Sequence, residues 1–501
     1  MITEVKTNYG IVKGAPGRSG NVVFKGIPFA KPPVGELRFL APQEPEPWDG
    51  VLDCTSFKDA NIQYKRKFAM KGAVLKHGSR SGDERSLELY PAKKPLVVNF
   101  SEDCLYLNIW APAASIQDTS AKLPVLFWIF GGGFNAGYAF ETPYNGELFN
   151  ENGVILVTCG YRTGVLGFLT LPEITEKDPS HITGNQGLAD QVAALKWVRE
   201  NISAFGGDPD NITIFGQSAG GMSTKFHCVS PMSKGLFRRA VVHSGGGLNG
   251  GDPTRPLEEM IEITRKTLEY LDWTIIDLYN RPAQEVTDMM ADTAEKVCGD
   301  NDLFMYQPCI DGQILPEIPE IALKEGRTHE GLDIICGSVT GDSWMFSRKV
   351  RQTLIDAGDE DSLRAFAYSP EVAWGRLNAR RGYPPIRGFF FEHKLPGDPR
   401  GVPHGSELNY VFGVLDDIDR DWTIYDYELM QIMNSYWVNF AKTGDPNGDG
   451  LPYWPYFTKE TPKVLHFTED KVLAEDVVEN KRQDHVIEYT IANPGMLMEF
   501  K

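Results

Sequence analysis

The chain is 501 residues long, 42% apolar and 24% charged, ordinary globular usage that excludes a disordered, collagenous or coiled-coil protein. Fifty Lys and Arg against 68 Asp and Glu leave a net charge of −18, and a surface that acidic repels nucleic acid and anionic membranes. No apolar run approaches the ~20 residues needed to span a bilayer; the longest candidate, Leu123 to Phe130, is strand-sized and runs into three glycines.

The first residues, Met1 to Lys6, show no basic head followed by an apolar stretch, so no secretory signal is expected. Seven cysteines, an odd number, run from Cys54 to Cys336 and read as reduced thiols of a cytoplasmic protein. The chain opens with short antiparallel strands, Glu4 to Asn8 and Ile11 to Lys13, around a turn at Tyr9-Gly10, with a third over Val22 to Ile27. Residues 61–101 carry no clear period and read as a long surface excursion.

From residue 104 the pattern changes. Leu105 to Trp110, Pro124 to Phe130, Val154 to Cys159, Ile212 to Phe215 and Ala240 to His243 are short apolar runs, the form taken by strands buried on both faces. Helical stretches separate them; the clearest is Gln186 to Phe205, with Leu188, Val192, Leu195, Val198 and Ile202 on one face. This alternation predicts an α/β protein with a large, mostly parallel sheet covered by helices on both sides. Residues 254–330 read as an irregular helical cap. The strand pattern returns at Leu332 to Cys336 and Ile386 to Glu392, and Tyr425 to Thr443 is a late helix that stops at Asp445-Pro446-Asn447-Gly448.

The sharpest chemical signal is Ile212-Thr213-Ile214-Phe215-Gly216-Gln217-Ser218-Ala219-Gly220-Gly221. Gly-x-Ser-x-Gly between a β-branched strand and a helical stretch sets a serine on a tight, strained turn with its hydroxyl presented for attack. The helix starting there points its positive end at a developing oxyanion. Upstream, the strand through Val125 to Phe130 ends in Gly131-Gly132-Gly133-Phe134. A phosphate loop would need a Lys-Ser/Thr pair after the glycines, and Phe134-Asn135-Ala136 offers none. The amides of Gly132, Gly133 and Ala219 are therefore assigned to an oxyanion hole.

Together these motifs resemble the type-B carboxylesterase/lipase family, the cholinesterase-related branch of the α/β-hydrolase fold. The likeness extends to Glu102-Asp103-Cys104-Leu105-Tyr106-Leu107-Asn108, to Phe24-Lys25-Gly26-Ile27-Pro28 with Lys31-Pro32-Pro33-Val34-Gly35, and to Ala194-Leu195-Lys196-Trp197-Val198 through Phe205-Gly206-Gly207-Asp208-Pro209. It covers nearly the whole chain and is similar to bacterial esterases of the para-nitrobenzyl-esterase kind, so residues 1–501 are expected to form one hydrolase domain with 254–330 as its cap insertion. The resemblance implies the order Ser, acid, His. Val402-Pro403-His404-Gly405-Ser406-Glu407-Leu408 matches the family's histidine loop and makes His404 the base; the other eight histidines are assigned to packing or surface roles. Gly341-Asp342-Ser343 stands where the family has Asp-Glu-Gly, so Asp342 is the implied acid, one methylene short, and its loop must approach His404 more closely.

The resemblance implies no metal or organic cofactor. Its partner is a small ester, on a monomer or small homo-oligomer. Arg38 with Glu102 and Arg162 with Asp190 match structural ion pairs of the family. The family's first disulfide lacks a partner near Asn61, leaving Cys104 as a buried thiol. Ser244 is either a hydrogen-bonding group beneath the site or a plain strand-end serine. Gln217 replaces the family's frequent Glu and removes a negative charge beside Ser218, and no Trp lies between Trp48 and Trp110; both argue for neutral esters over choline-type cations. Phe134, Tyr138, Phe304, Tyr306, Trp344 and Met345 are candidates for an apolar substrate pocket. The expected function is a serine carboxylesterase. A feruloyl or carbohydrate-ester esterase, a lipase and, from another class, a non-catalytic binding protein are the alternatives.

Overall fold

A computed structural model describes residues 2–64, 67–70, 73–76, 91–94, 96–249, 254–298, 306–345, 367–477 and 481–495. The chain divides into two compact units. One comprises residues 1–212, 254–316 and 417–419, the other 213–253, 317–416 and 420–501.

In the first unit, strand Leu123–Ile129 lies parallel to Ile155–Cys159. Tyr106–Pro112 then pairs antiparallel with Ile155–Cys159 on one side and with Asn21–Pro28 on the other. The expected mostly parallel sheet thus carries antiparallel strands at this edge. A strand buried on both faces reads as the same apolar run whichever way it points, so the direction of Tyr106–Pro112 left no mark. A separate small sheet joins Glu4–Lys6, Ile11–Lys13 and Val51–Asp53. Within the supposed excursion at 61–101, Lys67–Met70 and Ala73–Lys76 form an antiparallel hairpin. Ion pairs Arg38–Glu102 and Arg162–Asp190 are both present. The second is buried and bidentate, with Arg162 Nε and Nη2 each donating to Asp190 at 2.9 and 2.7 Å.

Helix Gln186–Asn201 continues as a 3-10 turn over Ile202–Phe205. It is buried nearly all round, Gln186, Asp190 and Gln191 included, and so is a core helix instead of the one-faced helix its spacing suggested. The cap region is helical as expected over Leu257–Leu271, Ile275–Asn280 and Ala283–Cys298.

Strand Gly207–Gln217 begins in the first unit and ends in the second. In the second it lies parallel to Arg239–His243, followed in order by Asp333–Val339, Arg387–Phe391 and Lys463–Phe467, all parallel. Val472–Asp476 closes this array antiparallel. Helix Ile424–Thr443 touches strand Arg239–His243, where Trp437 Nε1 donates to His243 Nε2 at 3.0 Å. It opens with a reciprocal cap between Thr423 and Asp426, satisfying backbone N–H groups that have no partner within the helix. It ends at Gly444, whose φ of 83° suits glycine. Two strands of this array, Lys463–Phe467 and Val472–Asp476, and helix Ser369–Arg381 carry no signal that the sequence reading used. Their apolar residues alternate with His466, Glu475 and a cluster of arginines.

Candidate active site

Strand Gly207–Gln217 stops one residue short of Ser218, and helix Ala219–His227 starts one residue after it. Reversing direction within one residue forces Ser218 to φ 59° and ψ −125°, a region costing about 1–3 kcal/mol for a residue with a side chain. Two hydrogen bonds hold the turn. Ser218 N–H donates to the His243 carbonyl at 3.0 Å, and Met222 N–H to the Ser218 carbonyl at 2.8 Å. The helix presses onto the neighbouring strand at Gly221, where a β-carbon would stand 2.3 Å from the same His243 carbonyl.

His404 lies on a loop of the same unit with its side chain 16% exposed. Its Nδ1 sits 2.5 Å from Asp342 Oδ1. Asp342 is fully buried, and its other oxygen accepts from Val339 N–H at 3.0 Å. The short side chain is accommodated by backbone approach. At Gly341 a β-carbon would lie 2.5 Å from the Val402 carbonyl and 3.0 Å from His404 N, so only glycine lets the acid-bearing turn rest on the histidine loop. The opposite nitrogen, Nε2, is 2.9 Å from the side-chain amide nitrogen of Gln217. A carboxylate oxygen only accepts, so Nδ1 carries the hydrogen that faces Asp342. In the neutral imidazole this leaves the lone pair on Nε2, the tautomer a general base requires. Ser218, Asp342 and His404 all belong to the second unit, and the Gln217 contact brings the Nε2 edge of the ring to the serine turn.

In the first unit, Gly132 and Gly133 follow strand Leu123–Ile129 with φ of 116° and 63°. The Gly132 carbonyl accepts from both Asn135 and Ala136 N–H, and a β-carbon there would lie 2.2 Å from the Ala136 carbonyl. Among the described residues neither the Gly132 nor the Gly133 amide is used in a hydrogen bond. In the second unit Ala219 is the first helical residue, where N–H groups have no intrahelical partner.

The model of the carboxylesterase family matches residues 2–372 and 365–486. The chain belongs to the carboxylesterase family. This esterase is 34% identical to the para-nitrobenzyl esterase of Bacillus subtilis (strain 168), over 96% of its own length and 97% of the relative's. It is 31% identical to an acetylcholinesterase of Bungarus fasciatus, over 92% and 82%. A solved thermophilic para-nitrobenzyl esterase superposes with a TM-score of 0.79 at 30% identity, covering 97% of this chain and 99% of that one. The fold is thus that of the α/β-hydrolases, and the protein is a carboxylic-ester hydrolase.

Of the pocket candidates, Phe134 and Tyr138 are buried in the first unit of the esterase, Phe134 at φ 59° with its ring edge-on to Phe168 at 5.5 Å. Tyr306 is 1% exposed, and burial pushes its hydroxyl well above the usual tyrosine range. Phe304 lies outside the described residues. Trp344 and Met345 belong to the 3-10 turn Thr340–Met345 that carries Asp342, and their side chains lie outside the description. Cys104 is a buried free thiol, as are Cys54, Cys159, Cys228, Cys309 and Cys336. The Ser244 hydroxyl is buried and has no hydrogen-bond partner among the described residues.

Three features of the site escaped the sequence. Gln217 touches the His404 ring itself. His243 is buried with both ring nitrogens engaged: Nδ1 lies 3.2 Å from Glu407 Oε1, and Nε2 accepts from Trp437 Nε1 at 3.0 Å. Glu371, near Asp342, is a buried carboxyl. The available hint was position alone, since His243 ends the strand beside Gln217 and Glu407 follows His404 by three residues.

Proposed function

We propose that the esterase hydrolyses neutral carboxylic esters through an acyl-enzyme, with Ser218 as nucleophile, His404 as base and Asp342 as the acid that orients it. The reading is carried by one observation: the His404–Asp342 pair, in the tautomer that leaves Nε2 able to accept a proton, stands at the turn that strains Ser218. Ser218 Oγ attacks the ester carbonyl carbon, its proton passes to His404 Nε2, and the carbonyl π pair moves to oxygen. The oxyanion is met by the amides of Gly132, Gly133 and Ala219; one such donor is worth roughly 10²–10³ in rate. Collapse expels the alkoxide, which takes the proton from Nε2. Water then repeats the sequence on the acyl-enzyme and releases the acid.

Gln217 places no charge beside the nucleophile, which favours uncharged alcohol groups. Phe134, Tyr138, Phe304, Tyr306, Trp344 and Met345 supply the apolar walls. The six buried free thiols support a cytoplasmic location. The family match along nearly the whole chain supports reading residues 1–501 as one domain with 254–330 as its cap, acting as a monomer or small homo-oligomer on small esters and without nucleic acid as a partner. No helix among the described residues is long and apolar enough to cross a membrane.

The test is a hydrolysis panel on wild type and Ser218→Ala, using short para-nitrophenyl esters, a feruloyl ester, a long-chain emulsion and a matched pair of cationic and neutral esters. A fluorophosphonate label is mapped in parallel. Expected are label on Ser218, activity abolished in the variant and fastest turnover of a short neutral ester. Label on another residue, or a clear advantage for the cationic ester, contradicts the proposal.

A further inference from the structure

The Gln217 side chain is 5% exposed, and its amide nitrogen reaches His404 Nε2 at 2.9 Å, the nitrogen that must take the Ser218 proton. An imidazole nitrogen has one in-plane lone pair, so the amide and the serine hydroxyl compete for it. Before reaction an N–H donor here stabilises neutral imidazole with hydrogen on Nδ1, the form paired with Asp342. After proton transfer the same nitrogen bears a hydrogen and needs an acceptor. A primary amide offers both a donor and an acceptor at one position and exchanges them by rotation about its last torsion.

We propose that Gln217 is a positioning residue of the hydrolysis: its amide holds His404 in the proton-accepting tautomer in the resting enzyme and turns to present its carbonyl to Nε2–H once the Ser218 proton has moved. The inference rests on the assignment of Ser218 and His404 above. No proton passes to or from Gln217; the proton leaves Ser218 Oγ for Nε2 and then goes to the leaving alkoxide. A carboxylate at this position would accept only, and so would favour the imidazolium before any substrate is attacked. A thioether of similar length would do neither. The charged and titratable groups around this ring are Asp342 on Nδ1, Glu371 behind Asp342, and the buried His243–Glu407 pair. All are unchanged by substitution at 217, so a shift in pH profile reports the 217 side chain.

The experiment is the pH dependence of kcat and kcat/KM for para-nitrophenyl butyrate on wild type, Gln217→Glu and Gln217→Met, with Ser218→Ala in parallel. Gln217→Glu is expected to move the acid limb of kcat/KM to higher pH by about one unit, as an opposite charge near an imidazolium does. Gln217→Met is expected to lower kcat by roughly five- to tenfold with KM within about twofold, because the lost contact is with the base and not with substrate. A Gln217→Glu limb superimposed on wild type overturns the proposal, and so does a Gln217→Met enzyme with wild-type kcat. Should one variant fail to fold, the other decides. An active Ser218→Ala enzyme sinks the nucleophile assignment itself; an inactive one alongside unaltered 217 variants sinks only the role of Gln217.

Discussion

The second unit holds two histidine–carboxylate pairs close to the serine turn, and they differ in what surrounds the second ring nitrogen. His243 has Glu407 on Nδ1, the Trp437 indole N–H on Nε2 and no exposure of its side chain. His404 has Asp342 on Nδ1, but its Nε2 meets the exchangeable amide of Gln217 and its ring is partly exposed. A ring with both nitrogens committed inside the core cannot receive a proton without breaking a buried bond. A ring with one nitrogen presented at a strained serine can. Pairing a histidine with a carboxylate therefore does not mark a base; the environment of the other nitrogen does.

The largest effects should fall on the reactive pair. Ser218→Ala is expected to reduce kcat by about 10⁶-fold, as loss of a nucleophile acting with its base does, while leaving thermal unfolding nearly unchanged. Asp342→Asn should reduce kcat by about 10⁴-fold with KM little altered, because the amide no longer favours hydrogen on Nδ1. Both are read from initial rates on a short para-nitrophenyl ester with the folded fraction measured separately. An Asp342→Asn enzyme within tenfold of wild type would dissolve the distinction between the two pairs.

Those two residues were not equally legible. Ser218 sits in a local motif whose backbone demand is written into five neighbouring positions. His404 and Asp342 are 62 residues apart, and no period or spacing joins them, so only resemblance pointed to the pair. The close approach at Gly341 that makes a short acid sufficient is a contact between loops and has no sequence signature. The strands Ile212 to Phe215 and Ala240 to His243 were plain because parallel strands buried on both faces keep an unbroken apolar run. The same rule hid the reversed direction of Tyr106–Pro112. His243 was hidden differently: its partners Glu407 and Trp437 lie 164 and 194 residues away, and a histidine at a strand end looks alike whether it is satisfied or idle.

The committed pair should respond in stability more than in turnover. His243→Leu leaves the Glu407 carboxyl with neither oxygen bonded, since Oε2 has no partner already. Removing one member of a buried pair costs about 3–5 kcal/mol, which denaturant titration would register. Per active site, counted by fluorophosphonate titration below the unfolding midpoint, activity should stay far above that of Asp342→Asn. Equal losses per site in the two variants would mean that His243 belongs to the chemistry.

The gentlest change per pH unit concerns the carboxyl behind Asp342. Burial pushes the Glu371 carboxyl from 4.5 to about 8; the charge of Asp342 adds to this, while a backbone hydrogen bond, the Lys225 ammonium and the Ser338 hydroxyl oppose it. Lys225 is engaged by Glu320 at 2.5 Å. The folded protein therefore keeps a proton on Glu371 that the unfolded chain loses near its ordinary value. Between the two values the folded state binds more protons, so stability must fall as pH rises and level off above about 8. The slope from this one group is at most about 1.4 kcal/mol per pH unit. Glu371→Gln keeps the neutral shape and should remove that slope, making the variant more stable than wild type at pH 8 and less distinguishable from it near pH 5. Parallel stability–pH curves for the two proteins would show that Glu371 is already ionised, and with it that a second negative charge stands behind the carboxylate that orients His404.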